Sequence, residues 1–495
     1  AAVQVTVPAT PSATNVVQSN FLGISSELSF MTDYFGNDTE HMSTPMLNYL
    51  AGIRARTGSN PVRVRIGGNS ADISPYDSQP ASPMVALLPG NFSFDDQPAT
   101  YNAMLWSVMA DVATSVGGVA YVINIPLAIP PNASLSTDIR NTLGGALDAM
   151  LLGNEPDLYS RHGKRPNLQN YTEEDYFGDY TAAIKIIGAG DSAGVPDIGG
   201  PSLCCFWDLA SLLETGYLTQ FGAVLKYISV QHYPQNDCTG TFRFQLPWYM
   251  QHSNVVTLAQ WQKPGIDYLL SQPAANRPQL IISEFNSASC GGVPFSPAFG
   301  VGSLWSIDYA LQLASVGYSQ AYIHTREAGI SYNLVAPPAG PPGTAGAWTT
   351  NAPYYALLGM AEALRTDHGA IVQDLNLGGS VSDAAATTSG YAVYDADNKT
   401  VSRLVLFNWA NASTEFAVPA SVFAPGGTAL VKFLAAATPG EESAISWGGE
   451  TWGPGVGDGK SALAPGWVVP NQNLSGCAQS GCTFTAPGPS LAMVF

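Results

Sequence analysis

The chain is 495 residues long, enough for several domains or for one large domain with an appendage. Charged residues make up only 11%, and 37 Asp+Glu against 19 Lys+Arg leave a net charge of −18. That acidic field, uninterrupted by any Lys/Arg cluster, excludes nucleic acid as a partner; the 46% hydrophobic content excludes disorder, and no apolar run approaches the ~20 residues that cross a bilayer.

The chain opens Ala1-Ala-Val-Gln4, without Met, as a chain does once a signal peptide has been removed. Alternation in Val3-Gln-Val-Thr-Val7 predicts an N-terminal strand, within residues 1–15, that joins a β-region further on. Eight short buried-strand runs then follow: Phe21–Ser25, Val62–Gly67, Val119–Asn124, Met150–Asn154, Asp197–Gly200, Tyr227–Gln231, Leu280–Ser283 and Gln320–His324. Each precedes a segment long enough for a helix, such as Tyr101–Ser115, Thr172–Ala189 and Val301–Ser315. Eight β-then-α units predict an α/β fold, a closed (β/α)8 TIM barrel, over residues 16–365. An open doubly wound sheet is disfavoured because no Gly-x-Gly-x-x-Gly turn follows the first strand. The Pro/Gly-rich stretch Ala336–Gly346 reads as a rim loop, since barrel-type sequence resumes at Ala352–Arg365.

Beyond residue 365 the helical period disappears. Strand-like runs at Gly390–Tyr394, Ser402–Phe407, Thr428–Phe433, Gly466–Val469 and Leu491–Phe495, separated by Gly/Pro/Asn turns, predict a C-terminal antiparallel β-sandwich over 366–495. Cys477 and Cys482 bracket a short polar loop and are expected to pair; Cys204, Cys205, Cys238 and Cys290 allow one or two further bridges of open pairing. Seven Asn-x-Ser/Thr sequons occur, at Asn37, Asn91, Asn132, Asn170, Asn398, Asn411 and Asn473. Together these features favour an extracellular protein, expected to be monomeric.

Active sites of barrels of this kind sit where strands end. Two ends carry a glutamate behind an apolar run: Gly153-Asn154-Glu155-Pro156 on strand four and Ser283-Glu284-Phe285 on strand seven. One such Glu is usually an ion-pair or cap residue. Two of them, on strands that face one another across a barrel, are the pair that glycosidic cleavage needs: one protonates the leaving oxygen, the other attacks or activates water. So few basic residues leave little to neutralise both as structural ion pairs. His232 is expected to pack within the mouth rather than bind metal, and neither a metal nor a cofactor is implied. Ser283 lacks a nucleophile-elbow sequence. Trp305, Trp348, Tyr354 and Tyr355 read as core, with Trp348 the best candidate for a sugar platform.

Larger strings carry a closer likeness. Arg65-Ile-Gly-Gly-Asn69-Ser-Ala-Asp72, Gly153-Asn-Glu-Pro-Asp157, Gln231-His-Tyr233, Glu284-Phe-Asn-Ser-Ala-Ser-Cys-Gly-Gly292 and Gly329-Ile-Ser-Tyr332-Asn-Leu-Val335 resemble glycoside hydrolase family 79, the β-glucuronidase and heparanase family. The resemblance is strongest to its fungal exo-acting β-glucuronidases. It implies a retaining exo-β-glucuronidase acting on terminal glucuronic or 4-O-methylglucuronic acid of glycosides or polysaccharide ends. Glu155 would be the acid/base and Glu284 the nucleophile, with Asn154 on the sugar 2-hydroxyl and Asp72 on hydroxyls at the far end of the ring. The uronic carboxylate would be held, without Arg or Lys, by the turn Ser289-Cys290-Gly291 and by the phenols of Tyr332 and Tyr233. Two other readings remain open: a related glycosidase for a neutral sugar (arabinofuranoside or xylan), and a non-catalytic carbohydrate-binding barrel.

Overall fold

The structure, a computed structural model, describes residues 2–189, 196–426, 428–463, 466 and 468–495. Eight parallel strands close into a barrel: β1 (Leu22–Glu27), β2 (Val62–Gly67), β3 (Val119–Ile125), β4 (Leu147–Leu152), β5 (Ile198–Leu203), β6 (Leu225–His232), β7 (Gln279–Phe285) and β8 (Gln320–Thr325). β8 pairs back onto β1, Ala321 opposite Leu22 and Thr325 opposite Ser26. The expected barrel is present, with strand ends shifted by a few residues.

Period-two alternation sorts the strand residues. Val122, Ala149, Leu151, Tyr227, Ile281 and Tyr322 fill the barrel interior as one cluster, while their neighbours in sequence pack outward against the helices. The same alternation turns Arg63 and Arg65 of Val62-Arg-Val-Arg inward. Arg63 pairs with Asp148 at 2.9 Å, and Arg65 lies in the layer below the mouth. At β5 the alternation meets two glycines: a Cβ on Gly199 would lie 2.8 Å from Leu151 and 2.9 Å from the Tyr227 carbonyl, so only glycine admits the neighbouring strands.

Helices follow the strands for sequence reasons that are easy to name. Met104–Val116 buries Leu105, Trp106, Val108, Met109, Val112 and Val116 on one face and stops at Gly117, whose φ of 78° only glycine adopts without cost. Glu173–Ile187 begins with a reciprocal capping box between Thr172 and Asp175. Among the described residues no helix is long and apolar enough to cross a membrane.

The C-terminal part is a two-sheet structure. One sheet contains β9 (Ala370–Asp374), β10 (Thr388–Asp395), β11 (Val401–Asn408), β13 (Ala429–Ala435) and β15 (Ser490–Val494), all antiparallel to their neighbours. The other joins β12 (Thr414–Val418) to β14 (Cys482–Ala486), and the N-terminal strand Val3–Gln4 adds to β12 in parallel. Phe416 and Phe484 of the second sheet meet Leu404, Leu406 and Phe433 of the first in a separate core. The strand expected at 466–469 includes Trp467, which lies outside the described residues. Cys477–Cys482 is bonded, as are Cys204–Cys205 and Cys238–Cys290.

Polar joints tie the barrel to these sheets. Glu362, on the last barrel helix (Ala352–Ala363), accepts from Arg56 at 2.9 Å, from Lys432 of β13 at 2.7 Å and from the Trp447 indole at 2.9 Å. His252 lies between Asp308 (2.9 Å from Nδ1) and Asp374 of β9 (2.9 Å from Nε2), with the Tyr391 hydroxyl on Asp308 at 2.6 Å. Burial alone would lower the His252 pKa, but the charges of Asp308 and Asp374 outweigh it and push it up to about 10.

A histidine whose pKa is raised on folding stabilises the protein fully below its unfolded value, and the contribution fades as pH climbs through the folded value. The melting temperature is therefore expected to fall between pH ~6.5 and ~10 through His252. H252Q, which cannot titrate, should be less stable at pH 6 by about 3–5 kcal/mol, the usual cost of breaking a buried ion pair. Its melting temperature should also vary less across that range in calorimetric scans.

Candidate active site

Strand ends converge on a cavity of ≈ 410 Å³ at the C-terminal mouth of the barrel. Glu155 and Glu284 both line it. Their positions come from two local irregularities rather than from simple strand alternation. On β7, Ile282 stands opposite Val230 but Glu284 stands opposite Gln231, so Ser283 is an extra residue and the bulge turns Glu284 to the mouth. Glu155 follows β4 with φ of 48°, left-handed for a non-glycine residue, and its N–H bonds the Ser202 carbonyl at 3.1 Å. Ser202 and Cys290, also at the mouth, share this conformation with φ of 56° and 61°. Such residues cost about 1–3 kcal/mol each and cluster where a side chain must be aimed.

Arg65 organises the floor. It is fully buried, and every nitrogen of its guanidinium is used: Nε donates to Asn124 at 2.9 Å, Nη1 to Glu284 at 2.6 Å and Ser25 at 3.0 Å, Nη2 to Asn154 at 2.7 Å. Glycines make room for it. A Cβ on Gly67 would strike Arg65 and Asn124, and one on Gly68, with φ of 83°, would strike the Glu27 carboxylate. Cations were expected to be too few to neutralise both mouth carboxylates; one of the two, Glu284, does have one, Arg65, in a charge-assisted bond. The other Glu284 oxygen accepts from the Tyr233 hydroxyl at 2.8 Å.

Among the described residues no cation is bonded to Glu155. Burial, then the charges of Glu284 and Asp157, push its pKa well above the usual carboxylate range, with Lys164 acting weakly against them. Gln231 lies against both Asn154 and Glu155; with its amide nitrogen toward the carboxylate it donates to Glu155 Oε1 at 3.0 Å, and its oxygen accepts from Arg65 Nη2 at 3.2 Å. Burial and like charge thus set a carboxyl that favours its proton beside an ion-paired carboxylate, which is the pairing used for acid-assisted nucleophilic displacement.

The remaining predicted residues fall into two groups. Tyr233, Ser289, Cys290 and Tyr332 line the cavity. Asn154 is buried just beneath, donating to the cavity residue Asn69 at 2.9 Å. Gly291 sits behind the cavity surface, packed against Phe94 and Ile330. The Ser289 N–H is committed to the Gln235 carbonyl at 3.0 Å, and Cys290 is tied to Cys238, so this turn is strapped to the loop after β6. Asp72 requires a correction. It is wholly buried, does not line the cavity, and has both oxygens engaged, by Leu127 N–H at 2.7 Å and the Tyr159 hydroxyl at 2.5 Å. It braces two loops instead of facing a ligand. His232 lines the mouth, stacked on Trp261 at 4.1 Å, whereas Trp348 is packed between Tyr34 and Tyr49.

Sequence reasoning assigned no role to Arg65, Gln231, Glu27, His324 or Arg326. Arg65 had a signal: with Arg63, it is an arginine facing inward on a strand whose other residues are apolar. Arg326 follows β8 directly and lines the cavity, held by Asp95 at 3.2 Å and Glu327 at 2.5 Å and stacked on Phe94 at 4.1 Å. Burial would raise the Glu27 pKa, but His324, Arg326 and Ser70 prevail and hold it at about 2. As for metals, Asp95, Cys238 and Cys290 gather closely, but the two sulfurs are bonded to each other, which leaves no thiolate.

No protein-family model matches the chain. It is 27% identical to a β-glucuronidase of Neurospora crassa over 447 residues, spanning 82% of this chain and 75% of the relative. It is 26% identical to a β-glucuronidase of Aspergillus niger over 502 residues, spanning 89% of this chain and 84% of that one. In fold it matches a 4-O-α-L-rhamnosyl-β-D-glucuronidase from Fusarium oxysporum 12S, solved in complex with Rha-GlcA, with a TM-score of 0.78 at 20% identity over 99% of each chain.

Removing the Arg65 charge leaves Glu284 buried without its cation and removes one of the bonds that hold the Asn154 side chain. Arg65→Met is expected to lower thermal stability by about 3–5 kcal/mol. Turnover of the folded fraction should fall at least about 100-fold, as for the loss of a preorganised electrostatic group. Melting curves and active-fraction kinetics measure the two effects separately.

Proposed function

We propose that this chain is a retaining exo-β-glucuronidase. The observation that carries the proposal is the pair of unlike carboxylates in one cavity: Glu155, which burial and Glu284 keep protonated, and Glu284, which Arg65 and Tyr233 hold in place. The named β-glucuronidases of similar sequence support the sugar class. Arg326 and Tyr332 support it chemically, as donors for an anionic group in a site that otherwise carries acidic residues. A cavity of this size suits one terminal residue and its leaving group rather than a polymer passing through.

In the reaction Glu284 attacks the anomeric carbon as the glycosidic C–O bond breaks and Glu155 passes its proton to the departing oxygen. Water, deprotonated by the now ionised Glu155, then attacks the glycosyl–Glu284 ester and frees both carboxyl groups. Tyr233, bonded to the nucleophile, must shift its hydrogen bond as the ester forms. Asn154 is bridged to Arg65, Gln231 and Asn69, which suits it to orient the sugar 2-hydroxyl. We assign the protein to an extracellular setting on three bonded disulfides and on sequons that lie at the surface, six of the seven asparagines being exposed.

Proton NMR of the first-formed product should show the β-anomer, and a 2-fluoro glucuronyl fluoride should label Glu284, seen as a mass increase on its peptide. An α-product rejects retention. Because the proton on Glu155 is required, kcat/KM should fall as pH rises past its elevated pKa. Glu155→Gln should abolish that limb and slow substrates with poor leaving groups by about 10²–10⁴-fold, while sparing activated ones.

Specificity gives a further test. Donors left unpaired in a buried pocket cost about 1–3 kcal/mol each, so two of them imply about 30- to 10⁴-fold preference for β-glucuronides over β-glucosides. Tyr332→Phe and Arg326→Gln should each erode that ratio. Equal loss on both sugars would make these residues structural, and a wild type that prefers neutral glycosides would overturn the sugar assignment.

A further inference from the structure

The two glutamates divide the cavity into unlike halves. On one side, the ends of β7, β8, β1 and β2 supply Arg326, Asp95, Glu27, His324 and the polar Asn69. On the other, beyond Glu155, the turn after β4 and the ends of β5 and β6 present Leu158, the bonded Cys204–Cys205 pair, His232, Pro234 and Trp261, with no ionised group among them. Burial holds His232 down at about 4, so its ring is neutral above that.

This second wall is rigidly built. Asp157, two residues after Glu155, accepts from the backbone N–H groups of Cys204 at 3.2 Å, Cys205 at 2.7 Å and Phe206 at 2.8 Å, so the vicinal pair is anchored to the turn that carries the acid. Gln262 ties the same loop to that after β6, accepting from Leu209 N–H at 2.8 Å and donating to the Trp207 carbonyl at 3.1 Å. The His232 and Trp261 rings stack at 4.1 Å, 9° from parallel. Joining the two thiols removes their S–H donors and leaves a compact, polarisable, apolar surface.

A proton donor stands on the side from which the leaving group departs. We infer that the Cys204–Cys205 disulfide and the stacked His232–Trp261 pair form the leaving-group subsite, and that it selects aglycones presenting a flat, uncharged face. The inference rests on the reading of Glu155 as the acid. An aromatic ring and the apolar face of a neutral pyranose share this chemistry; a charged or branched alkyl aglycone does not.

The test compares leaving groups on one glycosyl unit. Glucuronyl fluoride makes no aglycone contact, 2-naphthyl β-glucuronide offers an aromatic face, and a glucuronyl-β-galactoside offers a sugar face. The ratio of kcat/KM for naphthyl, or for galactosyl, to that for fluoride is expected to fall about 10- to 100-fold in Trp261→Ala and in the Cys204→Ser/Cys205→Ser double variant, as for the loss of an apolar contact surface. Trp261→Phe should recover most of it, which separates stacking from misfolding. Whichever of the two arms responds identifies the natural face. Ratios that move less than about twofold in both arms overturn the subsite. If the wild type does not hydrolyse glucuronyl fluoride, the sugar assignment fails instead, and the same leaving-group ratios measured on the glycosyl unit it does cleave still decide the inference.

Discussion

A single buried guanidinium holds this site together. Arg65 sits below the mouth with no access to solvent, bonded at once to the carboxylate near the end of β7, to the asparagine before Glu155, and to Ser25 and Asn124 on two further strands. A charge in such a place is tolerable only when paired and fully hydrogen-bonded. The consequence runs both ways. Glu284 must be where Arg65 needs it, and Gly67 and Gly68 must lack side chains for the guanidinium and its neighbour Glu27 to fit.

The asymmetry between the two glutamates follows from that pairing. Both lie in the same cavity, yet one is bound to a cation and a phenol while the other is buried among mostly negative neighbours. Like charges in a partly dry site cannot both ionise cheaply, so the group without the cation keeps its proton. In the proposed reaction, the assignment of acid and nucleophile thus comes from the surroundings of chemically identical side chains. The left-handed backbone at Glu155, Ser202 and Cys290, in the turn after β4, near the end of β5 and in the loop after β7, belongs to the same region of the barrel.

Cations are scarce in this chain, and several of them are placed where burial makes a charge consequential. Arg63 and Arg65 occupy successive inward positions of β2, Arg326 lines the cavity, and Arg56 and Lys432 meet Glu362 where barrel and sheets join. The His252 cluster does the same on another face of that junction.

The sequence by itself determined the eight-fold βα rhythm, the change to β-structure after residue 365, and the two glutamates at strand ends. These are local properties: apolar periodicity, glycine and proline punctuation, and residue type at the end of a buried run. The bond between Cys477 and Cys482 was legible for the same reason, five residues being too few to need the fold. Tertiary structure decided the rest. A one-residue bulge at Ser283 sets where Glu284 points, Asp72 turns away to brace loops, Cys204 bonds its neighbour, and Arg65 and Arg326 enter the site from strands two and eight. Each of these depends on which strands lie side by side after closure and on which buried charges must find partners. Such constraints act between residues as far apart as Arg65 and Glu284, 219 positions, or Asp95 and Arg326, 231 positions, so a short window of sequence can show a residue but not its partner.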